Sequence, residues 1–144
     1  MNAKQYLNQL RTIEAVIRAR KGQLERLRAE QTFISAVSYD ADRVQTSGNT
    51  DPMRGVDHLL SLEQEIMQKV EAAERIRSRI IDEIESLQNP LYVTILLHRY
   101  IDGLKFEEIA CDMGYSYVYV THLHGEALQA FVQMKEREKT DEKG

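Results

Sequence analysis

The feature that most constrains this chain is a series of apolar residues, seven positions apart, between residues 56 and 88. Seven residues make almost two turns of an α-helix, so such a series forms one stripe and favours packing against another helix. Its members are Leu59, Ile66, Ala73, Ile80 and Leu87. The stripe predicts a helix from about Pro52 to Gln88, with Asp51 as its N-cap.

A second, interrupted stripe runs through residues 2 to about 37 and predicts another long helix. Its apolar members are Tyr6, Leu10, Ile13, Ile17, Leu24, Leu27 and Ile34. Arg20 and Gln31 stand at two positions where an apolar residue is expected. Between the two helices, residues 38–55 are polar and contain Ser47-Gly48-Asn49, which predicts a loop.

The two predicted helices carry opposite charge. Residues 1–37 hold seven basic and three acidic side chains, a net charge of +4, whereas residues 56–88 hold four basic and eight acidic ones, a net charge of −4. Such asymmetry favours pairing of unlike helices and hence an antiparallel hairpin. Charged helix faces that contact only solvent, with no preferred partner helix, would explain the asymmetry too. The second helix has further apolar residues beside its stripe: Val56, Leu62, Val70, Ile76 and Ile84. Their need for cover predicts a homodimer of hairpins that forms a four-helix bundle.

Composition narrows the class of protein. The 144 residues include only 2 Pro and 7 Gly, which favours an all-α fold over sandwiches and barrels. No run of 18 apolar residues occurs and the first residues lack an apolar signal core, so we expect a cytoplasmic protein without a membrane partner. The sequence has a single cysteine, no His pair at ligand spacing on a helix and no catalytic motif. We therefore expect no metal site, no cofactor and no enzymatic activity.

The C-terminal third predicts three shorter helices. Asn89-Pro90 opens the first of them. The second covers residues 106–113 and is followed by Gly114 in a turn. Ser116 is the expected N-cap of a last helix that reaches about residue 136. A short helix, a turn with glycine and a capped second helix are typical of a helix-turn-helix, although a plain corner between two helices has the same pattern.

We therefore predict an all-α protein in two parts. A long antiparallel helical hairpin, similar to a coiled coil, covers residues 1–88 and serves oligomerisation, with residues 38–55 as its polar loop. A helix-turn-helix domain covers residues 89–137. Residues 138–144 are expected to form a disordered tail.

The run from Leu97 to Ser116, LHRYIDGLKFEEIACDMGYS, continues into Val120 and Ala127-Leu128. Over about residues 90–131, this pattern resembles region 4 of sigma-70-type factors. Together with the stretch 38–47, the whole chain resembles a family of small sigma-region-4-like proteins of phages and prophages. That family is related in style to the ArpU and RinA late-gene regulators.

The resemblance implies a sequence-specific DNA-binding transcriptional regulator of phage type. Double-stranded DNA is then the partner, and contact with RNA polymerase is a further expectation, because sigma region 4 also contacts the polymerase. The residues implied in DNA binding at the start of the last helix are Ser116, Tyr117, Val118, Tyr119, Thr121 and His122. Arg99 and Lys105 match positions that hold the phosphate backbone. Helical spacing agrees, since residues 117, 118, 121 and 122 share a face opposite the apolar stripe.

Two departures count against this interpretation. Sigma factors carry arginines along the recognition helix, whereas residues 117–128 contain none, so an Arg–guanine contact is missing. Residues 90–144 hold six basic and nine acidic side chains, a net charge of −3, which predicts weak phosphate binding. The +4 helix would compensate if it reached the DNA, but we favour its neutralisation by the acidic second helix.

An alternative is a helical assembly or interaction protein in which the helix-turn-helix is only a scaffold. A small terminase-like DNA-packaging subunit is a variant of this class, because such subunits combine the motif with helical oligomerisation. Tyr115, Tyr117 and Tyr119 would then offer a protein-binding surface, since tyrosine is enriched at interfaces.

Overall fold

The structure is a computed structural model that describes residues 2–41 and 52–143. In these ranges the chain forms α-helices and no β-strand, so the all-α prediction is confirmed. The helices are α1 (Ala3–Ala41), α2 (Pro52–Glu85), α3 (Pro90–Tyr100), α4 (Phe106–Met113) and α5 (Tyr117–Lys143). None of these helices is long and apolar enough to cross a membrane.

The chain divides into two compact units, but not at the predicted boundary between residues 88 and 89. One unit, called here the five-helix unit, consists of Met1–Glu14 and Arg75–Gly144. The other, the two-helix unit, is Ala15–Glu74. The boundary moves because the start of α1 and the end of α2 bury their apolar side chains against α3, α4 and α5, which the separate domains of the sequence prediction did not allow for.

The core of the five-helix unit draws on all five helices. Its fully buried side chains include Leu7 and Leu10 of α1, Ile80 and Ile84 of α2, and Phe131 of α5. The remaining buried members are Ala3, Ile95, Leu96, Tyr100, Ile109, Ala110, Val120, Leu123 and Ala127. Each fully buried large apolar side chain contributes roughly 1.5–3 kcal/mol, so α1 and α2 supply a substantial part of this unit's stability.

In the two-helix unit, buried apolar side chains and two ion pairs occur on the α1 and α2 segments. Ile17 of α1 and Leu59 and Val70 of α2 are buried there. Lys21 pairs with Glu74 at 3.5 Å and Arg28 with Glu63 at 3.2 Å, so the order of partners is reversed along the two segments.

Gln31, which interrupts the apolar stripe of α1, has a polar partner in the two-helix unit. Its side-chain amide donates to Glu63 Oε2 at 3.0 Å. The hydrogen bonds from Gln31 and Arg28 lower the pKa of the Glu63 carboxyl below its usual value. The polar residue at this stripe position therefore joins the two helices through a carboxylate instead of through apolar contact.

Most of the apolar residues that were expected to need a second copy of the chain are covered within one chain. Val70 and Ile84 are buried, and Val56 and Leu62 are half-buried. Only Ile76 of that set remains exposed. Within one chain, fewer of these residues are therefore left for a second copy to cover than the sequence indicates.

α2 begins at Pro52, as predicted, whereas the ends of α1 and α2 differ from the prediction. α1 continues to Ala41, so residues 38–41 of the predicted loop are helical, as are residues 52–55, which the loop and helix predictions shared. The rest of that loop, with the proposed cap Asp51, lies outside the described residues. α2 ends at Glu85, four residues before Asn89. Asn89 precedes Pro90, and helical geometry is disfavoured for a residue that precedes a proline.

The predicted disordered tail is corrected by α5, which continues through residues 138–143. Lys and Glu are good helix formers and make up four of these six residues. The Thr140 hydroxyl donates to the Glu136 carbonyl at 3.0 Å, and Lys135 lies 3.7 Å from the Glu138 carboxylate. Such contacts one turn apart support a helix that has little tertiary packing.

A polar link between three helices lies beside the core of the five-helix unit. The Tyr6 hydroxyl of α1 donates to Glu83 Oε1 of α2 at 2.7 Å, and Lys135 of α5 forms an ion pair with the same carboxylate. Burial and the hydrogen bond to Glu83 raise the pKa of Tyr6. Burial acts to lower the pKa of Lys135, but the hydrogen bond and charge of Glu83 outweigh it and raise that pKa. Lys135 therefore stays charged and paired.

Replacing Glu83 by Gln tests this link. The amide still accepts from Tyr6, but Lys135, whose side chain is only 20% exposed, loses its nearer counter-charge and keeps only that of Glu138, 3.7 Å away. We expect the free energy of unfolding in urea to fall by about 1–3 kcal/mol. The control Glu85→Gln makes the same change at an exposed position and should cost less than about 0.5 kcal/mol. Equal losses in the two variants would contradict the role given to Glu83.

Candidate nucleic-acid interface

The turn between α3 and α4 is held by backbone hydrogen bonds and by one arginine. In the turn, the Leu104 amide donates to the His98 carbonyl at 3.1 Å. At the other end of α3, Asn89 caps the helix, since its side-chain oxygen accepts from the Leu91 amide at 2.9 Å. Gly103 has a φ of 70°, which glycine adopts without strain. The Arg99 guanidinium donates to the Leu104 carbonyl at 2.9 Å and lies 4.5 Å from the centre of the Phe106 ring. Arg99 thus fixes the path of the chain into α4.

The turn between α4 and α5 is short and well defined. Gly114 ends α4 with a φ of 72°, and the Tyr115 amide donates to the Ala110 carbonyl at 3.0 Å. Ser116 then caps α5, because its hydroxyl accepts from the Tyr119 amide at 3.2 Å. Ala110 and Val120 are both buried between the two helices. These residues fix where the first turn of α5 begins.

The first two turns of α5 bring the predicted contact residues together on the surface. Val118 is 75% exposed, Tyr117 49% and Tyr119 44%. Ser116 and His122 are exposed as well, and Thr121 is half-buried. The opposite side of α5 carries Val120, Leu123, His124, Ala127 and Phe131, all buried. The face assigned from helical spacing is therefore free to meet a partner.

His122, one of the predicted contact residues, is held by a neighbour that sequence reasoning missed. Its Nε2 lies 3.3 Å from Glu126 Oε1, and the Tyr92 hydroxyl of α3 donates to Glu126 Oε2 at 3.1 Å. The hydrogen bond to Glu126 raises the pKa of Tyr92. The pattern of residues four apart on a helix, His122 and Glu126, was the available signal. Glu126 restricts the orientations that the imidazole adopts.

Arg99 and Lys105, the predicted phosphate contacts, differ in their surroundings. Arg99 is half-buried and already occupied by Leu104 and Phe106. Lys105 is exposed at the N-terminus of α4, where its backbone amide donates to Glu108 Oε1 at 3.2 Å. Its ammonium group is available to an anion. Arg99 is better described as a residue that positions the turn.

His124 lies behind this surface and closes the core. Its Nε2 and the Tyr100 hydroxyl are 2.9 Å apart, and its ring meets Phe106 edge-on at 5.0 Å. Burial, together with the positive charges of Arg99 and Lys4, lowers the pKa of His124 to about 4. At neutral pH the imidazole is therefore uncharged, and this buried pair ties α3 to α5.

Three more features of this unit bear on function. Tyr115 and Tyr119 pack edge-on, with ring centres 4.9 Å apart, and both are exposed. Lys4 and Arg11 of α1 belong to the same unit. Their spacing of seven residues, which places them on one face of α1, was the available signal in the sequence. Within the described residues, no three His, Cys, Asp or Glu side chains form a group that could hold a metal ion.

The buried His124 predicts a loss of stability in acid. Its pKa is near 6.5 when exposed and about 4 when folded, so its contribution is complete above pH 6.5 and declines as the pH falls towards 4. Between pH 7.5 and pH 5 the free energy of unfolding should drop by about 2 kcal/mol from this group. Urea titrations at both values measure the drop. In the variant His124→Gln the drop should be smaller by that amount, and an unchanged drop would exclude His124 as its source.

A scan of protein-family models and searches of curated proteins and of solved structures found no match to this chain. The geometry of the first turns of α5 and of the turns that position them is therefore what supports a function.

Proposed function

We propose that this protein is a sequence-specific, double-stranded-DNA-binding regulator of transcription, and that α4, the Gly114 turn and α5 act as a helix-turn-helix. The observation that carries the proposal is the exposed, capped start of α5, whose opposite side is completely used in the core. Recognition helices place their N-terminal residues against base edges in the major groove. The resemblance to sigma region 4 points to the same residues.

Each exposed side chain of the first two turns has a chemical role in this proposal. Thr121 and His122 offer hydrogen bonds to base edges, and Val118 offers an apolar contact to a thymine methyl group. Ser116, Tyr117 and Tyr119 lie at the N-terminus of the helix and suit phosphate oxygens. Thr121 keeps its acceptor capacity, since its hydroxyl donates to the Val118 carbonyl at 2.8 Å.

The rest of the architecture follows the same proposal. We propose that α1 and α2 form an antiparallel helical hairpin, which the reversed order of ion pairs in the two-helix unit supports. A homodimer would double the DNA contacts. Exposed Leu60 and Met67, seven positions apart on α2, support it, and a sedimentation mass equal to one chain at micromolar concentration would contradict it. Control of phage-type genes and contact with RNA polymerase remain predictions from the resemblance.

The double variant Thr121→Ala/His122→Ala tests the base contacts. Selection from a random duplex pool with the unaltered protein first provides its preferred site. Affinity for that site should fall about ten-fold in the variant, while affinity for unselected duplex stays within about two-fold, because the lost groups read bases. Fluorescence anisotropy measures both.

Thr94→Ala/His58→Ala is the matched control, since it removes the same two side-chain types from α3 and α2. It should bind the selected site like the unaltered protein. Two results would count against the proposal: a pool that yields no preferred sequence, or equal losses in the control and in the test variant.

A second candidate function is assembly or protein interaction, for which the exposed Tyr115–Tyr119 pair is the specific observation. Tyrosines of this kind supply large contact area to protein interfaces. In the form of a small terminase-like subunit, the protein would form rings. Native mass spectrometry distinguishes the two: rings of eight or more subunits favour the packaging role, and the variant Tyr115→Ser/Tyr119→Ser should then break them into smaller species. A monomer or dimer that the variant leaves unchanged favours the DNA-binding proposal.

A further inference from the structure

The first three turns of α1 place one cation, Lys4, beside α5 and another, Arg11, beside the C-terminal end of α3, both within the five-helix unit. Lys4 and Arg11 are seven residues apart, so they lie on one face of α1, and both are exposed. A guanidinium nitrogen of Arg11 points at the Arg99 carbonyl oxygen, 3.5 Å away. The charge of Lys4 contributes to the lowered pKa of His124 in α5, while that of Arg11 opposes the burial that raises the pKa of Tyr100 in α3.

Lys4 lines a groove together with residues of α5. Two of those residues lie on the side of α5 that carries part of the proposed recognition face. The groove, of about 850 Å³, lies between the α1 start and Leu128, Gln129, Val132 and Gln133. Leu128 follows Thr121 by seven residues, and Gln129 follows His122 by seven, so these pairs lie on common lines along the helix. At 1.5 Å per residue, the groove begins about 10 Å beyond the proposed base contacts. That distance keeps Lys4 within reach of a duplex that touches α5.

These cations lack the acidic partners that neutralise other cations of α1. Lys21 and Arg28, further along the helix, each pair with a glutamate of α2. Over the part of the chain that the structure describes, neither Lys4, Arg11 nor Lys105 is within ion-pair distance of a carboxylate. Neutralisation by α2 therefore applies to Lys21 and Arg28 but to neither Lys4 nor Arg11.

The acidic side chains near the proposed interface are largely occupied by other groups. Asp102 and Asp112 each lie 3.0 Å from a ring nitrogen of His98. Glu108 accepts from the Lys105 amide, and Glu126 is held between Tyr92 and His122. These contacts leave the carboxylates charged, but the net charge of −3 over residues 90–144 does not count Lys4 and Arg11, which lie outside that range.

We infer that the start of α1 is part of the DNA-binding surface, with Lys4 and Arg11 contacting the phosphate backbone beside the groove that α5 reads. The inference rests on the proposed function and deepens it. It supplies the positive charge that the recognition helix lacks, from the opposite end of the chain. Each phosphate that a cation neutralises releases condensed counter-ions, which makes affinity depend on salt whatever the DNA sequence.

The test compares salt dependence in matched variants. The probe is a labelled duplex of mixed sequence, and its dissociation constant is measured by anisotropy from about 25 to about 150 mM KCl. In Lys4→Gln/Arg11→Gln, the slope of log affinity against log salt should become shallower by about 2, and affinity at the lowest salt should fall about ten-fold. Lys4→Arg/Arg11→Lys keeps both charges and should retain the original slope.

Lys69→Gln/Arg75→Gln is the control for total charge, since it removes one lysine and one arginine from exposed positions of α2. Its slope should match that of the unaltered protein. An unchanged slope in Lys4→Gln/Arg11→Gln, or an equal change in the control, overturns the inference while DNA binding itself stands. An unaltered protein that binds no duplex at the lowest salt overturns the proposed function as well. Equal urea midpoints for all variants show that folding is not the cause.

Discussion

The five-helix unit depends on apolar contact between segments that lie far apart in the sequence. α4 has only eight residues and buries only Ile109 and Ala110, so it cannot hold its place by its own hydrogen bonds. The side chains of Leu7, Leu10, Ile80 and Ile84 join the core that these residues enter. The exposed start of α5 is rigidly presented because its buried side is packed against this shared core. The position of the candidate interface is thus set by residues that no partner would touch.

Sequence periodicity predicted the helices well, and local chemistry predicted the starts of α3 and α5 and the end of α4. The seven-residue stripes, the caps at Asn89 and Ser116 and the glycine at 114 each follow from short-range rules that hold whatever the fold. The domain boundary did not follow from such rules. A heptad stripe shows that a helix has an apolar face, but it does not say which partner covers that face. Ile80 and Ile84 belong to the same pattern as Leu59, yet they are covered in a different unit.

The candidate interface was predictable in its orientation but not in its electrostatics. The exposed residues of α5 follow from helical spacing and from the resemblance to sigma region 4. Side chains that come from elsewhere in the chain were not predictable, because contacts such as that between Arg11 and the Arg99 carbonyl require the tertiary structure. For Arg99, the resemblance predicted a phosphate contact that the tertiary structure does not favour. Its guanidinium donates to the Leu104 carbonyl and lies over the Phe106 ring, so it stabilises the turn between α3 and α4. Net charge over a segment was a poor guide, since it left out cations such as Lys4 and Arg11, which come from another part of the sequence.

The ring of Tyr6 in α1 packs 5.8 Å from that of Phe131 in α5, so residues 131 − 6 = 125 positions apart in the sequence meet in one core. Synthesis proceeds from the N-terminus, so the first turns of α1 are made long before the α5 residues that pack on them. The apolar face of these turns therefore lacks its α5 cover until Phe131 has been added. Folding of the five-helix unit has to close this long loop, a step that high contact order makes slow.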